Sequence, residues 1–143
     1  MNTSSTDTLL VSRDGSIATV TINRPEKLNA INTATARAMS DAFEKLSADD
    51  DLRVVVLRGA GDRAFGVGAD ISEFKDVRNS PGQAQDYEDS WGAGLASCRH
   101  PVIALIKGYC IGGSMGLLPE TDMRIAGESS RFAIPAGRLG ITY

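Results

Sequence analysis

Near the N-terminus, apolar and polar residues alternate over short stretches, a pattern that predicts β-strands. Further along the chain the apolar residues recur at helical spacing. Residues 9–12 and 17–22 flank Asp14-Gly15, a pair that tolerates the positive φ angles of a tight turn. The chain is therefore predicted to open with a β-hairpin, preceded by a disordered, Ser/Thr-rich segment over residues 1–8. Pro25 ends the second strand because proline donates no ladder hydrogen bond.

A helix and a buried strand are predicted next. Asn32 can cap a helix in which Met39, Phe43 and Leu46 recur at i, i+4 and i+7, the spacing of an apolar stripe that packs against a sheet. The apolar run 52–57 predicts a strand buried on both faces, so strand, helix and strand form one right-handed crossover unit. Later predictions are a polar loop over 76–83, a helical face with Tyr87, Trp91 and Leu95, and strands over 123–126 and 132–134.

Two glycine-rich stretches mark the candidate site. Residues 65–70 (Phe-Gly-Val-Gly-Ala-Asp) and 111–116 (Ile-Gly-Gly-Ser-Met-Gly) each follow a strand-like run, the second after a predicted central strand over 102–106. Glycines let the backbone bend sharply and let a ligand approach the peptide plane, and a helix that begins there leaves N–H groups unpaired. Two such turns, each offering one N–H group, predict an oxyanion hole.

Composition limits the class of protein. With 143 residues, 42% of them apolar, residues 1–143 are expected to form one domain. The formal net charge of -3 and the lack of a basic run argue against nucleic-acid and membrane partners. Cys98 and Cys110 match no metal-ligand spacing, so no metal is expected. The first residues lack the pattern of a signal peptide, which favours a cytoplasmic location.

The second glycine stretch also matches the G-x-S-x-G nucleophile elbow of serine hydrolases, with Ser114 as the nucleophile. That motif needs an acid and then a histidine downstream, whereas His100 lies upstream, so we favour Ser114 as a small residue packed at a helix start. His100 fits the C-terminal end of a helix better than a catalytic base. Asp70 and Glu73 are either site carboxylates or helix caps: capping is favoured for Glu73, and both roles stay open for Asp70.

The order and spacing of several motifs resemble the crotonase family, which contains enoyl-CoA hydratases and isomerases. The motifs are Asn23-Arg24-Pro25 with Asn29-Ala30, Ala64-Phe65 with Gly68-Ala69-Asp70-Ile71, Pro101-Val102-Ile103-Ala104 with Lys107-Gly108, and Gly112-Gly113. The resemblance extends from about Leu9 to Tyr143. It implies an α/β fold of the ClpP/crotonase-like type, a spiral of strand-strand-helix (ββα) units. Family members are usually longer, so the C-terminal helices that complete their pocket and trimer are expected to be missing here.

The resemblance further implies an acyl-CoA thioester as substrate, with coenzyme A as part of that substrate and no separate cofactor. At the positions that match the family motifs, the backbone N–H groups of Ala69 and Gly113 hold the thioester oxygen and form the catalytic pair. The residues expected to bind substrate are Lys27, Leu28, Ala30, Gly68, Asp70, Ile71, Gly112, Gly116 and Ala136, with Lys27 near a phosphate of the nucleotide. A full-length protein is expected to form a homotrimer or hexamer.

Two positions depart from the family pattern and leave the reaction open. Hydratases of the family carry Glu three residues after the oxyanion glycine and again after the proline of a later strand. Here those positions are Gly116 and Ala136, and neither can transfer a proton. Glu120 lies one helical turn beyond Gly116, but Pro119 is expected to distort that helix. Three functions remain: an enoyl-CoA hydratase or isomerase acting through an oxyanion-stabilised enolate, a non-catalytic acyl-CoA-binding relative, and a serine hydrolase that uses Ser114.

Overall fold

The computed structural model describes residues 6–73 and 92–140. The strands are Leu9–Asp14 (β1), Ile17–Ile22 (β2), Val54–Gly59 (β3), Ala64–Gly66 (β4), Val102–Ile106 (β5), Tyr109–Ile111 (β6), Met123–Ala126 (β7) and Arg131–Ala133 (β8). The helices are Thr33–Ser47 (α1), Ala93–Ala96 (α2) and Gly113–Leu117 (α3), and 3₁₀ turns occupy Pro25–Lys27, Ile71–Glu73, Leu118–Glu120 and Ala136–Leu139. The predicted loop over 76–83 and the side chains of Tyr87 and Trp91 lie outside the described residues.

The larger sheet confirms the predicted hairpin and the parallel pairing of the crossover unit. Its described strands lie in the order β1-β2-β3-β5-β7. Strands β1 and β2 pair antiparallel around Gly15, whose φ is 57°, and the other pairs are parallel. Strand β5 (102–106) has its predicted bounds and is an interior strand, paired with β3 on one side and with β7 on the other. Ahead of the hairpin, Thr6 lies in the segment 1–8 that was predicted to be disordered, and it pairs with Leu9 of β1.

Helix α1 follows its predicted start and its predicted apolar stripe. The Asn32 side chain caps the helix by accepting a hydrogen bond from the Thr35 N–H group at 2.9 Å. Met39, Phe43 and Leu46 are buried in one core with residues of the large sheet. In the described parts of the chain, no helix is long and apolar enough to cross a membrane.

Strand β3 differs from its prediction in both its start and its burial. It begins at Val54, although Leu52 ahead of it is fully buried. Val55 and Leu57 are buried, whereas Val54 and Val56 are partly exposed. The prediction of burial on both faces is therefore wrong, because only one face of β3 packs into the core.

A second, smaller sheet was not predicted as such, and it determines where the site lies. It contains β4, β6 and β8, all parallel, and each of these short strands follows a strand of the larger sheet along the chain. Three-residue strands carry too few positions to show a hydrophobic period, which is why β6 was missed between β5 and the second glycine stretch. Because β4 and β6 are parallel neighbours, the glycine turns that follow them lie at the same edge of the small sheet.

Candidate functional site

The two glycine turns approach each other closely. We refer to residues 66–70 as the Ala69 turn and to residues 111–114 as the Gly113 turn. Gly68 has a φ of +88°, and a Cβ atom placed on it would lie only 2.8 Å from the Gly113 nitrogen. Both the backbone angle and this contact require glycine at position 68. The structure thus brings the predicted residues of the two turns side by side.

The Ala69 amide faces away from the protein segment that holds its turn. The Ile31 N–H group donates to the Gly68 carbonyl at 2.8 Å, and the Asp70 N–H group donates to the Ile31 carbonyl at 2.9 Å. In a trans peptide the carbonyl and the following N–H group point in opposite directions, and no described peptide bond is cis. The Ala69 N–H group therefore points away from Ile31, and it donates to no group in the described part of the chain.

The Gly113 amide is oriented by its own turn. The Gly112 carbonyl accepts a hydrogen bond from the Met115 N–H group at 2.9 Å, inside the first turn of α3. By the same trans-peptide geometry, the Gly113 N–H group points away from the body of α3. The Gly112 N–H group donates to the Ala133 carbonyl at 2.9 Å, which fixes the turn to β8. Within residues 6–73 and 92–140 the Gly113 N–H group has no hydrogen-bond acceptor.

A cavity of about 550 Å³ opens beside the Ala69 turn. Its lining residues are Lys27, Ala30, Val67, Ala69, Asp70, Ile71 and Ser72. The cavity thus gathers the predicted residues of two separate segments, the loop after β2 and the turn after β4. Its size is in the range of small-molecule sites. Leu28 and Gly68 are sequence neighbours of lining residues, but neither they nor Gly112 and Gly113 line the cavity.

Asp70 is held as a structural carboxylate. One of its oxygens accepts from the Ser72 N–H and hydroxyl groups at 3.1 and 2.6 Å, and the other accepts from the Arg24 guanidinium at 2.8 Å. The hydrogen bond from the Ser72 hydroxyl is the largest cause that lowers the pKa of Asp70, and the Arg24 guanidinium also lowers it. Both oxygens therefore take part in structural hydrogen bonds, and Asp70 also lines the cavity, so both of its predicted roles stay predictions.

The prediction that Glu73 caps a helix is confirmed, but the helix that it caps is not the one expected. Its carboxylate accepts hydrogen bonds from the backbone N–H and the hydroxyl of Thr33, both at 2.9 Å. Thr33 is the first residue of α1, so Glu73 caps α1 and not the short 3₁₀ turn that it ends itself. This cap fastens the chain beyond Ala69 to the start of α1.

The loop after β2 depends on Asn29, which was not singled out as a site residue in the sequence. Asn29 is 1% exposed and has a φ of 57°, a value that asparagine tolerates better than most residues. Its side-chain amide donates to the carbonyls of Ala60 and Ala64 at 3.0 and 2.7 Å, and its side-chain oxygen accepts from the Arg24 N–H group. These bonds fix the loop with Ala30 against the chain between β3 and β4.

Ser114 and His100 do not form a catalytic pair. Ser114 is fully buried, and its Oγ accepts a hydrogen bond from the Gly68 N–H group at 2.9 Å. This agrees with the interpretation of Ser114 as a small packed residue. Helix α2 ends at Ala96, and His100 lies beyond it. The prediction that His100 occupies the C-terminal end of a helix is therefore wrong. Its buried Nε2 atom has no hydrogen-bond partner among the described residues.

The positions expected to carry proton-transfer groups hold none. Gly116 lies in α3, and Ala136 begins the last described 3₁₀ turn. As predicted, Pro119 interrupts the helix: α3 ends at Leu117, and an exposed Glu120 lies at the end of a 3₁₀ turn. Among the described residues that line the cavity, the one carboxylate is Asp70, both of whose oxygens accept hydrogen bonds from protein groups.

Comparison with known proteins reveals similarity over nearly the whole chain. The sequence profile of a family described as enoyl-CoA hydratase/isomerase matches residues 12–143. The short-chain-enoyl-CoA hydratase of Clostridium acetobutylicum is 36% identical over 135 residues, which are 94% of this chain and 52% of that relative. The mitochondrial 3-hydroxyisobutyryl-CoA hydrolase of Rattus norvegicus is 34% identical over 138 residues, 93% of this chain and 36% of the hydrolase.

Solved structures show similarity to the same family. The crystal structure of an enoyl-CoA hydratase/carnithine racemase from Magnetospirillum magneticum matches with a TM-score of 0.91 at 40% identity, covering 97% of this chain and 53% of the other. The chain therefore spans about half the length, or less, of the relatives that it matches.

Proposed function

The chain belongs to the enoyl-CoA hydratase/isomerase family, and from this premise we propose that it binds an acyl-CoA thioester and stabilises an enolate-like oxyanion on the thioester oxygen. One observation carries the proposal. The N–H groups of Ala69 and Gly113 are unpaired within the described residues and belong to adjacent turns that touch at Gly68. In this proposal both N–H groups donate to the same oxygen.

The chemistry that suits such a pair builds negative charge on a carbonyl oxygen. Removing a proton beside a thioester carbonyl, or adding a nucleophile to a conjugated double bond, moves electrons onto that oxygen. Fixed donors stabilise this charge most in the transition state, and losing one donor typically costs about 2.7 to 4 kcal/mol. The two amides are held by hydrogen bonds of their neighbours, so little reorganisation is needed when the charge forms.

The cavity beside Ala69 provides a place for the remainder of the substrate. Lys27 is exposed, and its ammonium group can approach a phosphate of the coenzyme A nucleotide. Ala30 and Ile71 supply apolar surface in the same cavity. On the strength of the family motifs, we propose that Leu28, Gly68, Gly112, Gly116 and Ala136 contribute to substrate binding next to this cavity and that residues 1–143 form one acyl-CoA-binding domain. By the same motifs we propose that the full-length protein forms a homotrimer or hexamer, and the free thiols of Cys98 and Cys110 support our proposal of a cytoplasmic location.

A second function is favoured by the missing carboxylates. Gly116 and Ala136 cannot donate or accept a proton, so a thioester can be bound and polarised without being converted. This alternative is a non-catalytic acyl-CoA-binding relative. The serine hydrolase is not supported, because Ser114 is buried and its Oγ already accepts the Gly68 N–H group.

Binding and turnover separate these functions. Calorimetric titration with butyryl-CoA tests binding, and the loss of crotonyl-CoA absorbance tests hydration. Binding with turnover supports the enzyme, binding without turnover supports the non-catalytic relative, and no binding of either thioester contradicts both. A fluorophosphonate probe is expected to leave Ser114 unlabelled, and labelling there would support the hydrolase instead.

A further inference from the structure

The hydroxyl of Ser114 joins the two turns of the candidate site. Its Oγ accepts a hydrogen bond from the Gly68 N–H group at 2.9 Å, and Ser114 is fully buried. Among the described residues, no other side-chain hydrogen bond connects the Ala69 turn with the Gly113 turn. Each end of this bond is directly next to one of the two unpaired amides, since Gly68 precedes Ala69 and Ser114 follows Gly113.

The space around the Ser114 hydroxyl is cleared by a glycine. A Cβ atom on Gly66 would lie 2.4 Å from the Ser114 Oγ and 3.2 Å from its Cβ. Gly68 is also buried, so its N–H group has no access to water as an alternative partner. A side chain at position 114 without an acceptor would leave that donor unpaired in the interior, an arrangement that proteins avoid.

We propose that Ser114 is a positioning residue that sets the distance between the Ala69 and Gly113 amides by fastening the Ala69 turn to the start of α3. This inference rests on the proposed function of the two amides. Ser114 acts through Gly68 and does not touch the substrate. Its role therefore belongs to the geometry of the oxyanion donors and not to nucleophilic chemistry.

The expected consequence is selective for the transition state. A small misplacement of a donor can reduce a rate by on the order of 100-fold, because the hydrogen bond strengthens only as charge develops. Ground-state binding of coenzyme A uses other contacts, so kcat is expected to fall while KM stays within about twofold of the unaltered protein.

The test compares Ser114→Ala and Ser114→Cys with a matched control. Alanine removes the acceptor, and cysteine retains a side chain with only a weak one. Thr121→Val is the control, because it removes another buried hydroxyl, 4% exposed, which donates to the Leu118 carbonyl outside both turns. Each variant is measured for kcat and KM and for hydrogen exchange at the Gly68 amide by NMR. Both Ser114 variants are expected to lower kcat and to accelerate Gly68 exchange at least tenfold, and Thr121→Val to do neither.

A double variant protects the test from simple misfolding. Gly66→Ala forces a methyl group against the Ser114 Oγ and should reproduce the loss of kcat, whereas adding Ser114→Ala relieves that contact, so the two effects should not add.

Unchanged Gly68 exchange in Ser114→Ala, or an equal kcat loss in Thr121→Val, overturns the proposal. If Gly68 exchange responds as expected but the unaltered protein binds no thioester, the hydrogen bond stands and the proposed function fails. Where the protein binds but does not turn over thioesters, a smaller downshift of the bound butyryl-CoA carbonyl stretch in Ser114→Ala replaces kcat as the readout, and no change overturns the proposal.

Discussion

Ile31 and Ala69 form a one-residue parallel bridge that turns the Ala69 amide away from Ile31. The bridge uses the carbonyl before Ala69 and the N–H group after it, so the amide of Ala69 itself remains free of partners within the described residues. Ile31 directly precedes Asn32, the cap of α1, and Glu73 accepts a hydrogen bond from Thr33, the residue after Asn32. The site is therefore anchored at the start of the longest described helix.

Gly68 provides a direct test of the contact between the two turns. Gly68→Ala introduces a Cβ atom 2.8 Å from the Gly113 nitrogen, in addition to strain from its positive φ. Gly61→Ala is a matched control, because Gly61 has a φ of +72° and nothing within 4 Å of a Cβ atom. Gly61→Ala is expected to lower the free energy of unfolding by about 1 kcal/mol. Gly68→Ala should cost about 2 kcal/mol more, because it also overpacks the site.

Urea unfolding and thioester binding check this prediction. Gly61→Ala should keep the binding affinity of the unaltered protein, and Gly68→Ala should lose it. Equal effects of the two substitutions on both measurements would mean that the close approach of the turns does not exist.

The elements whose apolar residues recur with a clear period could be predicted from the sequence. Asn32 and the stripe of Met39, Phe43 and Leu46 located α1, and the family motifs led to the α/β crotonase fold that the solved structures support. Strand β6 and the pairing of β4 with β6 could not be predicted from periodicity, since each strand has three residues. Yet this pairing is what brings the two glycine turns together.

The contacts of single polar side chains were harder to predict than the backbone. Glu73 caps α1 across a separation of 40 residues, and Ser114 reaches Gly68 across 46. Local sequence rules relate a cap to its own helix and a motif serine to its own turn, so they do not reveal such distant partners. The same limit applies to Asn29, whose partners lie in another segment.

The ion pair between Asp70 and Arg24 predicts a pH-dependent stability. Both side chains are nearly buried, and the bonds from Ser72 and Arg24 lower the pKa of Asp70. A carboxyl group whose pKa falls on folding stabilises the protein above its unfolded pKa and loses this contribution as the pH falls through the folded pKa. Asp70→Asn should therefore lower the free energy of unfolding by about 2 kcal/mol at neutral pH, and by less below about pH 4.

Urea unfolding at neutral pH and at about pH 3 measures this difference. Asp62→Asn is the control, since Asp62 pairs with Lys107 on the surface, where solvent weakens the interaction. If the difference in unfolding free energy between Asp70→Asn and the unaltered protein grew as the pH was lowered, the stabilising role of the Asp70 carboxylate would be contradicted.

The Cys110 thiol is expected to be inert in the folded protein. It lies in β6, directly before the Gly113 turn, and burial raises its pKa to about 11. At pH 8 the thiolate fraction is then about one part in a thousand, and the thiolate is the reactive form. Iodoacetamide should label Cys110 only after unfolding in urea, as read by mass spectrometry. Rapid labelling of the native protein at this position would show that the small sheet opens readily.

Substitution of Lys27 should change the binding affinity only for thioesters that carry the coenzyme A nucleotide. Lys27→Ala removes the exposed cation at the cavity and is expected to weaken binding of butyryl-CoA about tenfold, the typical effect of losing one charged hydrogen bond. Butyryl-pantetheine lacks the nucleotide and serves as the control ligand, so its affinity should not change. Equal weakening for both ligands would assign Lys27 to the acyl end of the groove or to the fold.

Gly113→Pro tests whether the Gly113 amide is a donor to the thioester oxygen. Proline is tolerated at the first position of a helix, which Gly113 occupies in α3, and its ring removes the N–H group. Gly112 before it has φ 58° and ψ -130°, an extended mirror-image conformation that leaves room for the proline ring. The substitution therefore removes one of the two proposed donors at a helix position that tolerates proline.

The carbonyl stretch of bound butyryl-CoA is the measurement that isolates this effect. Two donors polarise the carbonyl and lower its stretching frequency, so the band of the bound thioester should lie below that of the free thioester in the unaltered protein. In Gly113→Pro the band should return toward the free value, with a loss of turnover of at least about 100-fold. Gly113→Ala retains the N–H group and should keep the lowered frequency. A bound carbonyl whose frequency is the same in the proline variant and the unaltered protein would remove Gly113 from the proposed pair and leave Ala69 as a single donor.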